Sequence, residues 1–261
     1  MKKLLKKIFN QFEVLGPVSN FIINRKYRRF YENYNAELKL YKQFGRMNLV
    51  FDIGANKGNK ADVFSSLSKK VICVDPDEKN NEILNARFQF NKKISIECVA
   101  LSDKVGEETF YLLEEGEQLN TLSEKWKQVI ESPNNQRFDE ARNFKKSIPV
   151  KTKTLDGLIA EFGKPDYVKI DVEGYELKVL NGLSTALPMI SFESNLPEFI
   201  DETFECIAKL DSLSTTSVFN ISREFKFLFD EWLHADAFKE KFKLTDLHSN
   251  TIEIYCKTVL M

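Results

Sequence analysis

In residues 50–67, VFDIGANKGNKADVFSSL, three residues have types and spacing that could hold a small molecule. Asp52 precedes Gly54 and Gly58 in a turn between an apolar run and a helix-like run. A glycine turn lets backbone approach a ligand, because no Cβ intervenes. The amides that open the next helix favour an anion. The spacing is GxxxG, not the GxGxxG of a dinucleotide site. A carboxylate just before the turn would repel a pyrophosphate and suits a ligand with an ammonium group. S-adenosylmethionine has an ammonium, a carboxylate, a ribose and an adenine, and no phosphate. Asp75 closes VICVD. It lies about twenty residues on, the usual distance for an acid that accepts hydrogen bonds from ribose hydroxyls. The plainer alternative is that Asp75, followed by Pro76, caps the next helix.

A second acidic group lies further on. Asp171 closes the apolar run YVKI, and one residue separates it from Glu173. Transfer of a methyl group from a sulfonium to an alcohol needs alignment and a base for the hydroxyl proton. Partial burial and a like charge nearby would raise the Asp171 pKa, which suits a base near neutral pH. The alternative is that Asp171 orients the cofactor or caps the helix after it. Glu193 ends ISFE and could bind a substrate hydroxyl or, with Asp171, a divalent metal such as magnesium. Lys169 reads as a buried structural lysine or the partner of one of these acids. Glu176 and Lys178 read as a solvated helix face. His234 reads as a helix-surface residue, and His248 falls in a polar loop.

Strand-like and helix-like runs alternate from residue 48. The strands are NLVFDI, VICVD, ISIECVAL, SIPVKT, PDYVKIDV and LPMISFE, with STTSVFNI and NTIEIYCK near the end. The helices include NKADVFSSLSKK, TLDGLIAEFG and DEWLHADAFKEKF, with Thr154 as an N-cap and Gly163 as a stop. ETFYLLEE reads as hairpin-like. Such alternation implies a mostly parallel sheet covered on both faces. Ligands then bind beyond the carboxyl ends of the strands. Asp52, Asp75, Asp103, Asp171 and Glu193 all fall at that edge. Residues 114–147 break the rhythm and have the length and aromatic content of a substrate lid, with Trp126 offering a face to a sugar ring. The alternative is a surface insertion without ligand contact.

The blocks VFDIGANKG, DPDEKNNEILNARFQFN, ECVALSD and VKIDVEGYELKVLNGL, followed by ISFES, resemble the FkbM family of S-adenosylmethionine-dependent methyltransferases over residues 49–194. The resemblance implies an α/β, Rossmann-like class I methyltransferase. Its mostly parallel seven-stranded sheet would have an antiparallel last strand. It implies O-methylation of a hydroxyl on a sugar, glycan or glycolipid precursor. It places Asp52, Gly54, Asn56 and Gly58 around the methionine part of the cofactor and Asp75 on the ribose. It places Ser102 and Asp103 near the adenine, and Asp171 and Glu173 near the transferred methyl. The competing readings are a nicotinamide-dependent dehydrogenase, which lacks its GxGxxG here, and a non-catalytic cofactor-binding protein.

The chain has 261 residues, 43% of them hydrophobic, and a net charge of -1. This argues against a general nucleic-acid binder. The sequence divides into a basic helical extension, 1–46, and a catalytic domain, 47–261. In the extension, Leu4, Leu5, Ile8, Phe9, Phe12 and Leu15 share one helical face opposite four lysines. That face could lie on an anionic membrane, on the domain, or on a second copy of the chain. The four cysteines form no CxxC pair. Cys73, Cys98 and Cys256 read as buried thiols in a reducing, cytoplasmic compartment.

Overall fold

The computed structural model describes residues 28–133, 137–138, 142–245 and 251–259. All of the amphipathic start and His248 lie outside the described residues. The chain opens on α1 (Arg28–Tyr41), β1 (Met47–Ile53), α2 (Asn59–Leu67) and β2 (Ser68–Val74). Next come α3 (Glu78–Phe88), β3 (Ile94–Glu97), β4 (Ala100–Leu101) and β5 (Gly106–Leu112). α4 (Glu124–Glu131) precedes β6 (Lys146–Lys153), α5 (Leu155–Phe162) and β7 (Tyr167–Ile170). α6 (Glu176–Asn181), β8 (Met189–Asn195), α7 (Ile200–Ser212), β9 (Ser217–Arg223) and β10 (Lys226–Phe227) follow. The last elements are α8 (Ala235–Leu244) and β11 (Thr251–Thr258).

The main sheet runs β10-β9-β11-β8-β7-β1-β2-β3. Neighbours from β3 to β8 pair in parallel, and β11 is antiparallel to both β8 and β9. The sheet is therefore mixed and eight-stranded, not seven-stranded. The extra strand is the two-residue edge β10, formed where the chain turns back after β9. β1 shows why both faces are covered. Leu49, Phe51 and Ile53 enter one core with residues of α5, α6, α7 and α8. Val50 enters the other with Leu40 and Tyr41 of α1 and residues of α2 and α3. Strand side chains alternate between faces, so an apolar run fills both.

Several boundaries differ from the sequence reading. Ser68, Lys69 and Lys70 belong to β2 rather than to the preceding helix. ISIECVAL is not one strand. The pairing of β2 with β3 stops at Val74 and Glu97, and the chain then crosses to a second sheet, β4-β6-β5. The run 146–153 pairs there too, antiparallel to β5, so ETFYLLEE has its main partner about forty residues on, while Tyr111 also bridges locally to Thr121. Cys98 lies at the crossing and is exposed, whereas Cys73, Cys206 and Cys256 are buried. His234 takes the N-cap position of α8, with its Nδ1 3.1 Å from the Ser217 carbonyl oxygen. Thr154 does cap α5, its side chain accepting from the Gly157 amide, and Gly163 ends that helix.

Candidate active site

β2 and β3 lie on one side of β1, and β7 and β8 on the other. A chain that reverses direction in this way leaves a crevice beyond the strand ends. A cleft of about 670 Å³ occupies it. That is within the roughly 300–1,000 Å³ of small-molecule sites.

The turn after β1 supplies one wall through Gly54, Ala55, Asn56 and Lys57. Its glycines answer first to the protein itself. A Cβ on Gly54 would lie 1.7 Å from the Asp171 carbonyl oxygen. A Cβ on Gly58 would lie 2.4 Å from the Phe88 ring, and Gly58 does not line the cleft. Both residues have φ near +80°. The turn is thus pressed against β7 on one side and α3 on the other.

Asp52 lies beneath this turn, fully buried and off the cleft wall. Neither carboxylate oxygen has a hydrogen-bond partner among the described residues. Burial, opposed in part by the Lys169 charge, pushes its pKa up to about 7. An orphaned buried carboxylate costs free energy unless a partner arrives.

Asp75 lines the cleft at the end of β2. It accepts from the Asn56 amide at 2.8 Å, the Asp77 amide at 2.9 Å and the Asn80 side chain at 3.2 Å. Asp77, not Asp75, caps α3. Asp77 also accepts from the Gly116 amide and the Asn120 side chain, which ties the insertion to the cleft. Burial raises the Asp75 pKa to about 6 despite these donors.

Ser102 and Asp103 are not brought to the cleft. Ser102 is buried and bonds Glu108 at 2.6 Å, and Asp103 pairs with Lys178 at 2.8 Å. Val99, Ala100 and Leu101 line the wall instead, because the chain is leaving for the second sheet at this point.

The opposite wall carries Lys169, Asp171, Glu173 and Glu193. Each of the three acids offers an oxygen within 4.8 Å of the others. Lys169 Nζ lies 2.6 Å from Asp171 Oδ2, so the ammonium supplies counter-charge that a metal would otherwise bring. Burial alone would raise Asp171, but the Lys169 charge and hydrogen bond leave its pKa below the usual value. This reverses the direction expected from burial and like charge. Glu173 and Glu193 go the other way. Burial raises both, and the Asp171 charge adds to it. Glu193 and Asp171 share a side-chain hydrogen bond. Glu176 is buried rather than solvated, accepting from the Val172 and Gly174 amides.

The insertion lines the cleft through residues such as Thr121, Trp126, Arg137 and Phe138. Thr121 Oγ1 donates to the Glu173 carbonyl oxygen at 2.7 Å. Trp126 is only 1% exposed and packs against Phe199 and the Arg137 guanidinium. It anchors the insertion, and at this burial it presents little surface to a sugar among the described residues. His234 does not line the cleft.

Residues 52–229 match the family model described as the Methyltransferase FkbM domain. The chain belongs to the FkbM methyltransferase family. This sets aside the dehydrogenase reading. The hexuronic acid methyltransferase AglP of Haloferax volcanii is 46% identical over 48 residues, a stretch covering 18% of this chain and 20% of that protein. Among solved structures, precorrin-6y C5,15-methyltransferase from Geobacter metallireducens is 8% identical, covering 87% of each chain, with a TM-score of 0.46. N-methyltransferase NodS from Bradyrhizobium japonicum is 9% identical, covering 89% of this chain and 98% of that one, with a TM-score of 0.43. None of these likenesses bears on the roles of individual residues.

The FkbM assignment implies S-adenosylmethionine, and the donor set suits it. Asp52 is a buried carboxyl beneath the turn without a hydrogen-bond partner among the described residues, and Asp75 is an acid lining the cleft at the end of β2. Apolar side chains line the wall at Val99–Leu101. No helix among the described residues is long and apolar enough to cross a membrane.

Proposed function

We propose that the chain is an S-adenosylmethionine-dependent O-methyltransferase acting on a hydroxyl of a sugar, glycan or glycolipid precursor. The observation that carries this is the acid cluster beside the turn. Asp171 is pinned by Lys169, and two carboxyls of raised pKa stand next to it. When bound, the cofactor supplies an activated methyl group. The chain then has to align an alcohol and remove its proton. Glu193 is the better base, since its carboxylate binds a proton more tightly than that of Asp171. Protonated Glu193 donates to Asp171, which positions it, and the base form is reached when that proton leaves. Asp75 holds the ribose, and Val99–Leu101 carries the adenine in place of Ser102 and Asp103. The insertion presents the acceptor. The stretch shared with a hexuronic acid methyltransferase supports a sugar.

Calorimetric titration with S-adenosylhomocysteine tests the cofactor assignment. Wild type should bind, and Asp75→Ala should lose about 10- to 100-fold, the usual weight of hydrogen bonds to a charged group. The variant also leaves the Asn56 amide without its acceptor. Its melting temperature is therefore read alongside. A loss of affinity without loss of fold supports the assignment. Equal binding by both proteins removes Asp75 from the ribose, and no binding by wild type ends the reading.

A further inference from the structure

We propose that Lys60 clamps the α-carboxylate at the amino-acid end of the cofactor, with Glu37 of α1 fixing the lysine side chain. This rests on the S-adenosylmethionine reading and adds a residue to it. Lys60 lies in the first turn of α2, directly after the glycine turn, and lines the cleft. Its Nζ lies 2.8 Å from Glu37 Oε1 and 5.1 Å above the Phe225 ring. The Lys60 side chain is 25% exposed and that of Glu37 11%. An ammonium has three donors. Glu37 takes one, and it is the sole hydrogen-bond acceptor for Lys60 among the described residues. The remaining donors are held near the cleft by a side chain packed between a carboxylate and a ring. The positive end of the α2 dipole lies alongside.

A second observation points to the same ligand end. Asp52 is fully buried, with both oxygens unpartnered among the described residues. Its register partner is Lys169, which lines the cleft, so the two side chains leave the same face of the sheet. The charge of Lys60 is felt at Asp52. A buried carboxyl without a hydrogen-bond partner among the described residues, beneath the turn, and a positioned cation on the cleft wall thus flank one turn. An ammonium and a carboxylate on a single carbon require that pair of charges. Glu37 precedes the matched range 52–229. The arrangement therefore makes α1 part of the cofactor site, not only a cover for the core.

Titration of the full chain with S-adenosylhomocysteine and with methylthioadenosine tests the clamp, because the second ligand lacks the amino-acid end. Lys60→Met should weaken S-adenosylhomocysteine by about 10- to 100-fold, the range of a charge-assisted contact. Methylthioadenosine should bind as to wild type. Lys92→Met, at an exposed lysine that does not line the cleft, should leave both affinities unchanged. Equal loss of the two ligands in Lys60→Met, or no loss, overturns the clamp. So does a selective loss in Lys92→Met. A wild type that binds neither ligand defeats the cofactor reading itself, which separates that failure from failure of the clamp.

Discussion

Glu193→Gln should lower kcat by about 10²- to 10⁴-fold, the weight of a positioned general base. Affinity for S-adenosylhomocysteine should stay close to that of wild type. The substitution keeps size and hydrogen bonding and removes only the proton-accepting charge. The pH profile is the sharper readout. A base works when deprotonated, and burial with the Asp171 charge holds Glu193 above the usual carboxylate range. Activity should therefore climb as pH rises through that raised value and level off above it. Glu193→Gln should flatten the climb. Because Asp171, Glu173 and Glu193 interact, the apparent pKa belongs to the cluster. Lys169 lowers the pKa of all three acids. Lys169→Met should thus move the climb to higher pH, and it should also cost stability, since the half-buried Asp171 carboxylate loses its ion-pair partner. An unchanged profile in Glu193→Gln would return the base role to Glu173 or Asp171.

Local signals were legible in the sequence where the physics is local. Thr154 as a cap and Gly163 as a stop follow from neighbouring residues alone, and both are realised. The apolar runs ending at Ile53, Val74 and Ile170 became adjacent strands, so the strand-edge rule found Asp75, Asp171 and Glu193. What depends on distant partners was not legible. The Asp171 shift was read from burial and a like charge, and the sign was decided by an ammonium 2.6 Å away. Glu176 looked solvated because charge on a short helix suggests water, yet two backbone amides turn it inward. Ser102 and Asp103 were misplaced because nothing local announces that the chain changes sheets after Glu97. The pairing of Glu37 with Lys60, and of Asp77 with Gly116, left no mark in the spacing.

Gly54→Ala should be the most damaging single-methyl change in this region, and through folding rather than through ligand contact. The added Cβ would fall 1.7 Å from the Asp171 carbonyl oxygen, on backbone just past β7 that the bond from the Asp171 amide to the Ile53 carbonyl oxygen holds in place. The residue also has φ +79°, which alanine adopts at a cost. Strain and overpacking each contribute about 1–3 kcal/mol. The sum is roughly 2–6 kcal/mol, or about 5–20 °C in melting temperature for a chain of this size. Gly58→Ala meets the ends of the Phe88 and Leu84 side chains, which can yield, so its melting temperature should fall less. Thermal unfolding without ligand separates two explanations of the turn. If glycine served only to admit a ligand, Gly54→Ala would melt like wild type and lose S-adenosylhomocysteine alone. If it serves the seam between β1 and β7, the loss of stability comes first and ligand binding falls with it. The Asp171 carbonyl oxygen decides for the second. The same contact that excludes a methyl group sets the turn beside the acid cluster, so the packing that forbids alanine also fixes the distance from turn to base.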